Sequence, residues 1–241
     1  MSGKPVVGLI GLGAFGQLAA QHLAPHLDLL VFDPGVASSA HGRSVSLEEA
    51  AGAPIVILAV PVQVVRDACE MIAPHVADGA LVLDVASVKL EPMAIMREVL
   101  PAGTRIVGTH PLFGPQSAAQ GIAGQSIVLC PEAGEDTACL EAFLSGTLGL
   151  KVHVSDADTH DRTMASVQAL THLVSKVLTD LGLEQAPYST RSYDLLVEAA
   201  NLVRSDSEQL FRAIERHNPH AAEVRDRFFA AARALDERLK T

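Results

Sequence analysis

The chain has 241 residues, 49% hydrophobic and 19% charged, and its 28 acidic against 18 basic residues give a formal net charge of −10. That composition excludes a disordered or fibrous protein, and the negative balance with no Trp, 2 Tyr and 7 Phe argues against a nucleic-acid binder, which needs a basic face and stacking rings. No apolar run approaches the ~20 residues that cross a bilayer, and Cys69, Cys130 and Cys139 lack metal-ligand spacing, as expected of reduced thiols in a cytoplasmic protein.

The first apolar run, 6–10, leads directly into Gly11-Leu12-Gly13-Ala14-Phe15-Gly16 and a helix to about residue 24. Residues 6–20 imitate the core of a signal peptide, but the glycine spacing explains them better. In a strand-turn-helix context, Gly11 permits the tight turn, Gly13 lets backbone approach a pyrophosphate, and Gly16 lets the helix pack on the strand. Free N–H groups at the helix start, with Ala14 and Phe15, then meet the anion. The second run, 29–32, ends at Asp33, where a carboxylate accepts hydrogen bonds from adenosine ribose hydroxyls and repels a 2′-phosphate. NAD is therefore expected over NADP, although Arg43 is within sequence reach of a 2′-phosphate. A glycine turn without nucleotide, or one for a flavin, is the alternative.

Further runs at 55–60, 80–83, 105–108, 126–129 and 151–154 are nearly continuous rather than alternating. They predict strands buried on both faces of a doubly wound parallel sheet with crossover helices, an α/β Rossmann-type domain over 1–155. Val60 and Pro61, ending the third run, join the cofactor-contacting set. Two segments follow later strands at the sheet edge where ligands bind. In Asp84-Val85-Ala86-Ser87-Val88-Lys89, Ser87 can orient a base or touch the nicotinamide, and Lys89 serves either the substrate or the loop after Asp84. In Gly108-Thr109-His110-Pro111-Leu112-Phe113-Gly114-Pro115, His110 has the pKa range to take a proton from an alcohol as hydride leaves its carbon. An ordinary turn histidine is the alternative.

After residue 155 the β-branched runs stop, and 156–241 reads as an all-helical domain of three long helices broken at 182–187 and at Asn218-Pro219. Residues 1–150 carry 6 bases and 14 acids, and 151–241 carry 12 and 14, so the bases concentrate in the helical part. His160, Met164, Gln168 and His172 advance by four along one helical stripe, with Leu170, Leu173, Val174 and Val177 on the buried side. No comparable ligand set makes these histidines a metal site. Arg204 and Arg212, eight apart, share a face of one helix and can pair with carboxylates. Leu195, Leu196, Ala199, Leu202 and Val203 leave a surface for a helix-helix interface.

Gly11-x-Gly13-x-x-Gly16, Asp84-x-x-Ser87-x-Lys89, the 108–115 segment, His160-Asp161 and Gln168-x-x-x-His172, in that order, closely resemble the prephenate/arogenate dehydrogenase family over essentially the whole chain. The resemblance implies NAD(P)-dependent oxidative decarboxylation of a cyclohexadienyl acid on the route to tyrosine, by a homodimer joined through the helical substrate domain. It implies that His110 hydrogen-bonds and polarises the ring C4 hydroxyl, that Ser87 supports His110 and the nicotinamide, and that Gln168 and His172 position substrate. It places an arginine near Arg204 and Arg212. Many relatives carry an acid after Gly114-Pro115 where this chain has Gln116, which removes a partner for the arogenate ammonium and favours prephenate. The alternatives are an arogenate or cyclohexadienyl dehydrogenase, and a catalytically silent NAD-binding regulator. At this length no fused mutase or regulatory domain is expected, so any tyrosine feedback would act at the active site. With so few rings, charge and hydrogen bonds rather than stacking would hold the substrate.

Overall fold

The computed structural model describes residues 3–204 and 206–240, which divide into two compact units, Met1–His160 and Asp161–Thr241. The first unit opens with β1 (Val6–Ile10), α1 (Ala14–Leu23), β2 (Asp28–Phe32), β3 (Arg43–Ser44), α2 (Leu47–Ala51) and β4 (Ile55–Leu58). It continues through α3 (Val65–Ile72), β5 (Leu81–Asp84), α4 (Leu90–Val99), β6 (Arg105–Pro111), β7 (Ser126–Pro131), α5 (Ala138–Ala142) and β8 (Lys151–Val154). The strands form one sheet in the order β3-β2-β1-β4-β5-β6-β7-β8. The chain winds outward from β1 through β2 to β3, then returns to β4 on the other side of β1. The strand order thus reverses beside the glycine turn, the position at which open α/β sheets bind ligands.

Alternate residues of each strand feed two apolar layers. Val7, Leu9, Leu29, Val31, Leu83, Val107 and Leu129 pack on one face with Ala20 and Leu23 of α1. Ile10, Leu30, Val56, Leu58, Val82 and Ile106 pack on the other with Ala50, Cys69, Ile72 and Met96. Burial on both faces explains why the runs are continuous.

Two features depart from the sequence expectation. β3 has two exposed residues and so leaves no apolar signature. β7 runs antiparallel to β6, with Gly108 opposite Cys130 and His110 opposite Val128. No helix lies between residues 112 and 125, so the chain returns beside β6 without a crossover.

A helix, α6 (Ala157–Met164), spans the division between the units and passes into a π-helical turn, Ala165–Ala169, and then α7 (Leu170–Asp180). α8 (Arg191–Arg204), α9 (Glu208–His217) and α10 (Ala221–Leu239) complete the helical unit. The expected single helix across Arg204 and Arg212 is two helices, because Ser207 caps α9 by accepting from the Leu210 N–H at 3.1 Å. At the Asn218-Pro219 break, buried Asn218 donates to the Asp161 carbonyl at 2.8 Å and accepts from the His220 N–H at 2.9 Å. Among the described residues no helix is long and apolar enough to cross a membrane.

Candidate active site

The turn after β1 has the shape a pyrophosphate needs. Gly11 lies at φ +103°, and a Cβ there would sit 2.5 Å from the Ala59 carbonyl oxygen. A Cβ on Gly16 would sit 2.2 Å from the Gly11 carbonyl oxygen, so α1 can start this close to the turn only with glycine. Around Gly13 the space is open, and no side chain caps α1, which leaves its first N–H groups, beside exposed Ala14 and half-buried Phe15, facing outward. Asp33 accepts from the Leu12 N–H at 2.7 Å and from the Gly35 N–H at 2.8 Å. These bonds fix its carboxylate at the turn and leave lone pairs for ribose hydroxyls. Val60 is half-buried and Pro61 exposed just beyond β4. These residues fit a dinucleotide.

Arg43 is engaged by Glu49 at 2.7 Å on the surface. A cavity of about 560 Å³ runs along the outer side of α1 between residues 36–41 and 115–121, but neither Asp33 nor His110 lines it.

His110 sits near the carboxyl end of β6 with 2% of its surface exposed. Its Nδ1 lies 2.9 Å from Nε2 of His160, the last residue of the same unit and also 2% exposed. Burial, then the neighbouring His160 and Lys89, hold the His110 pKa well below the ordinary imidazole value. The ring is neutral at pH 7 and can accept a proton or a hydrogen bond. Phe113, three residues on, packs against Phe15 with ring centroids 6.2 Å apart, which brings the segment after His110 beside the start of α1.

Beneath His110 lies an ion pair with no exposure to water. The Lys89 ammonium donates to Asp84 Oδ2 and, at 2.7 Å, to the Thr109 carbonyl. Asp84 Oδ2 also accepts from the Ala86 N–H at 2.9 Å, and the Thr109 hydroxyl donates to the Asp84 carbonyl at 2.6 Å. Burial pushes the Asp84 carboxyl up while Lys89 pulls it back down. Gly108 makes room for the lysine stem, since a Cβ there would meet Met93 Sδ at 2.7 Å and Lys89 Cδ at 3.0 Å. The bonds of Lys89 to Asp84 and Thr109 are those its loop role requires. Ser87, half-buried, lies on the turn this pair fixes. Gln116 is exposed in the segment following Gly114-Pro115.

In the helical unit, Gln168 belongs to the π-helical turn, and its buried Oε1 has no hydrogen-bond partner. The wider turn breaks the simple four-residue stripe from His160 to His172, and π turns of this kind frequently mark functional positions. His172 is buried with Nδ1 3.9 Å from Asp206. Burial lowers the His172 pKa against the opposing pull of Asp206. Leu173 is buried as expected, but Val177 is 37% exposed. Arg204 and Arg212 do not share a helix face: Arg204 ends α8, exposed, and Arg212 on α9 pairs with Glu208 at 3.0 Å.

The sequence reading did not assign His160 as the partner of His110, nor Asp206 as that of His172. A buried pair was nevertheless signalled by an apolar strand ending in Asp84 with a lysine five residues later.

Residues 35–155 match the family model described as prephenate dehydrogenase, nucleotide-binding domain, and residues 177–241 match that of a TYRAAT1-like C-terminal domain. The chain is 30% identical over 206 residues to a probable arogenate/prephenate dehydrogenase of Methanocaldococcus jannaschii, covering 81% of this chain and 46% of that one. It is 32% identical over 168 residues to arogenate dehydrogenase 2, chloroplastic, of Arabidopsis thaliana, covering 67% and 47%. It thus spans less than half the length of either relative. The crystal structure of prephenate dehydrogenase from A. aeolicus, in complex with hydroxyphenyl propionate and NAD+, shares the fold with a TM-score of 0.73 at 20% identity, over 98% of this chain and 91% of that one.

Proposed function

Because the chain belongs to the prephenate dehydrogenase family, we propose that it is an NAD-dependent prephenate dehydrogenase, converting prephenate to 4-hydroxyphenylpyruvate in tyrosine biosynthesis. The observation that carries this reading is His110: a buried, neutral imidazole near the end of β6, in the same unit as a built dinucleotide turn. His110 accepts the hydrogen bond of the ring C4 hydroxyl and draws electron density toward C4. Held by the Gly11–Gly16 turn and Asp33, a bound NAD would supply the hydride acceptor for C4, and loss of the ring carboxylate as carbon dioxide would leave an aromatic ring. The protein orients and polarises, and aromatisation supplies the drive. Ser87 lies on the turn fixed by Asp84 and Lys89, where it supports His110 and the nicotinamide. Gln168, with its unpartnered acceptor, and His172 position the substrate, and Arg204 is the cation for a substrate carboxylate. Arg212, already paired with Glu208, is the weaker candidate.

Asp33 at the turn and the engagement of Arg43 by Glu49 favour NAD over NADP. The neutral Gln116 favours the keto side chain of prephenate over the ammonium of arogenate. Initial rates with prephenate or arogenate, each with NAD or NADP, test the whole reading. The specificity constant should be greatest for prephenate with NAD. A greater value with arogenate would overturn the substrate assignment, and tight NAD binding without turnover would favour the silent regulator.

The proposal includes a homodimer formed through the helical unit. On α8, Leu195, Leu196 and Leu202 are 48%, 47% and 58% exposed, an apolar face suited to a second copy. Sedimentation at micromolar concentration should give twice the chain mass, and a monomer would remove this part of the proposal.

A further inference from the structure

Nδ1 of His110 and Nε2 of His160 lie 2.9 Å apart, so a single proton lies between them and one ring donates while the other accepts. Which does so decides whether the other nitrogen of His110, Nε2, is bare or protonated. Both rings are 2% exposed, and burial, His160 and the Lys89 ammonium together disfavour a charge on His110. The nearby buried carboxylate does not do the orienting: Asp84 Oδ2 is bound to Lys89 and the Ala86 N–H, and its Oδ1 has no hydrogen-bond partner, so neither oxygen bonds the His110 ring. The ring centroids are 5.1 Å apart with planes at 68°, an edge-on arrangement in which an N–H of one ring meets the lone pair of the other.

We infer that His160 is a positioning residue: its Nε2 accepts the Nδ1–H of His110 and so holds the tautomer of His110 whose Nε2 is bare. This rests on the reading that His110 accepts a hydrogen bond from the substrate hydroxyl. If His160 donated instead, His110 would carry its proton on Nε2 and would present a donor where the reaction needs an acceptor. The arrangement puts an imidazole where a serine-hydrolase triad has an aspartate. As positive charge builds on His110 the shared hydrogen bond strengthens, but less than a carboxylate bond would. His110 therefore remains a weak acceptor, and the C4 oxygen keeps its proton in the phenol product.

Ring-labelled histidine 15N NMR of the ligand-free protein tests the tautomer, with the His110 signals assigned by their loss in His110→Asn. Nδ1 should be the protonated nitrogen and Nε2 the bare one; a protonated Nε2 would overturn the inference. In kinetics, His160→Leu should lower kcat by roughly 10²-fold with KM for prephenate little changed. His160→Gln, whose amide oxygen can accept the same bond, should recover at least about tenfold of that loss. A folded Gln variant as slow as the Leu variant would count against the assignment. The NMR result stands without turnover, so failure of the functional reading and failure of this inference remain distinguishable.

Discussion

Replacing His110 with Asn is expected to lower turnover of prephenate by roughly 10²- to 10⁴-fold, the range attributable to a positioned proton acceptor. NAD affinity should stay close to that of the parent, because the Gly11–Gly16 turn and Asp33 do not bond to His110. The asparagine amide fills part of the ring volume, so the sheet should persist. Near-normal turnover in a single-turnover assay would remove His110 from the mechanism. The same variant carries a signature in stability. The folded pKa of His110 lies below the unfolded value of about 6.5, so the unfolded chain binds more protons between the two. Stability is therefore complete above about pH 6.5 and declines as pH falls toward the folded value. Urea midpoints between pH 5 and 8 should show that decline in the parent and a shallower one in His110→Asn, with His172 contributing in the same direction. Equal slopes would mean that His110 is not held neutral by its surroundings.

The second large effect belongs to Lys89. Lys89→Met keeps much of the stem beneath Gly108 but strands Asp84 in a site where neither member of the pair meets water. Removing one partner of a buried pair costs about 3–5 kcal/mol, because the remaining charge has lost its compensation. The Thr109 carbonyl loses its donor as well, directly before His110, so turnover should fall together with the urea midpoint. The double variant Asp84→Leu, Lys89→Met should be more stable than Lys89→Met alone, since it removes the uncompensated charge. A single variant within about 1 kcal/mol of the parent would show that the pair contributes little.

The Rossmann unit was largely legible in the sequence because its strands are buried on both faces and therefore appear as uninterrupted apolar runs, with glycine spacing marking the turn. The antiparallel course of β7 was not legible, since its run, 126–129, looks the same in either direction and only the missing helix before it distinguishes them. The break between α8 and α9 was hidden for a different reason. It depends on a single hydroxyl, that of Ser207, within a helical pattern that otherwise continues. At the candidate site, His110 stood out by its position after a strand. Its pairing with His160 depends on a contact across fifty residues, which no local pattern encodes. The opposite limitation applies to Arg212, whose i,i+4 partner Glu208 was visible in the sequence and is the contact the structure shows.

The antiparallel partner of β6 has a further consequence. β5 accompanies β6 only as far as Gly108, whereas β7 pairs with it through Pro111, and the Leu112 N–H adds a bond to the Ser126 carbonyl at 2.9 Å. The proposed proton acceptor, His110, is therefore anchored in a ladder that continues past it, and chain without ladder bonds begins only beyond that point. Insertions or deletions between Phe113 and Gln125 should therefore leave the imidazole in place. The imidazole proposed for the chemistry and the segment carrying Gln116 thus sit on separately adjustable parts of the same hairpin.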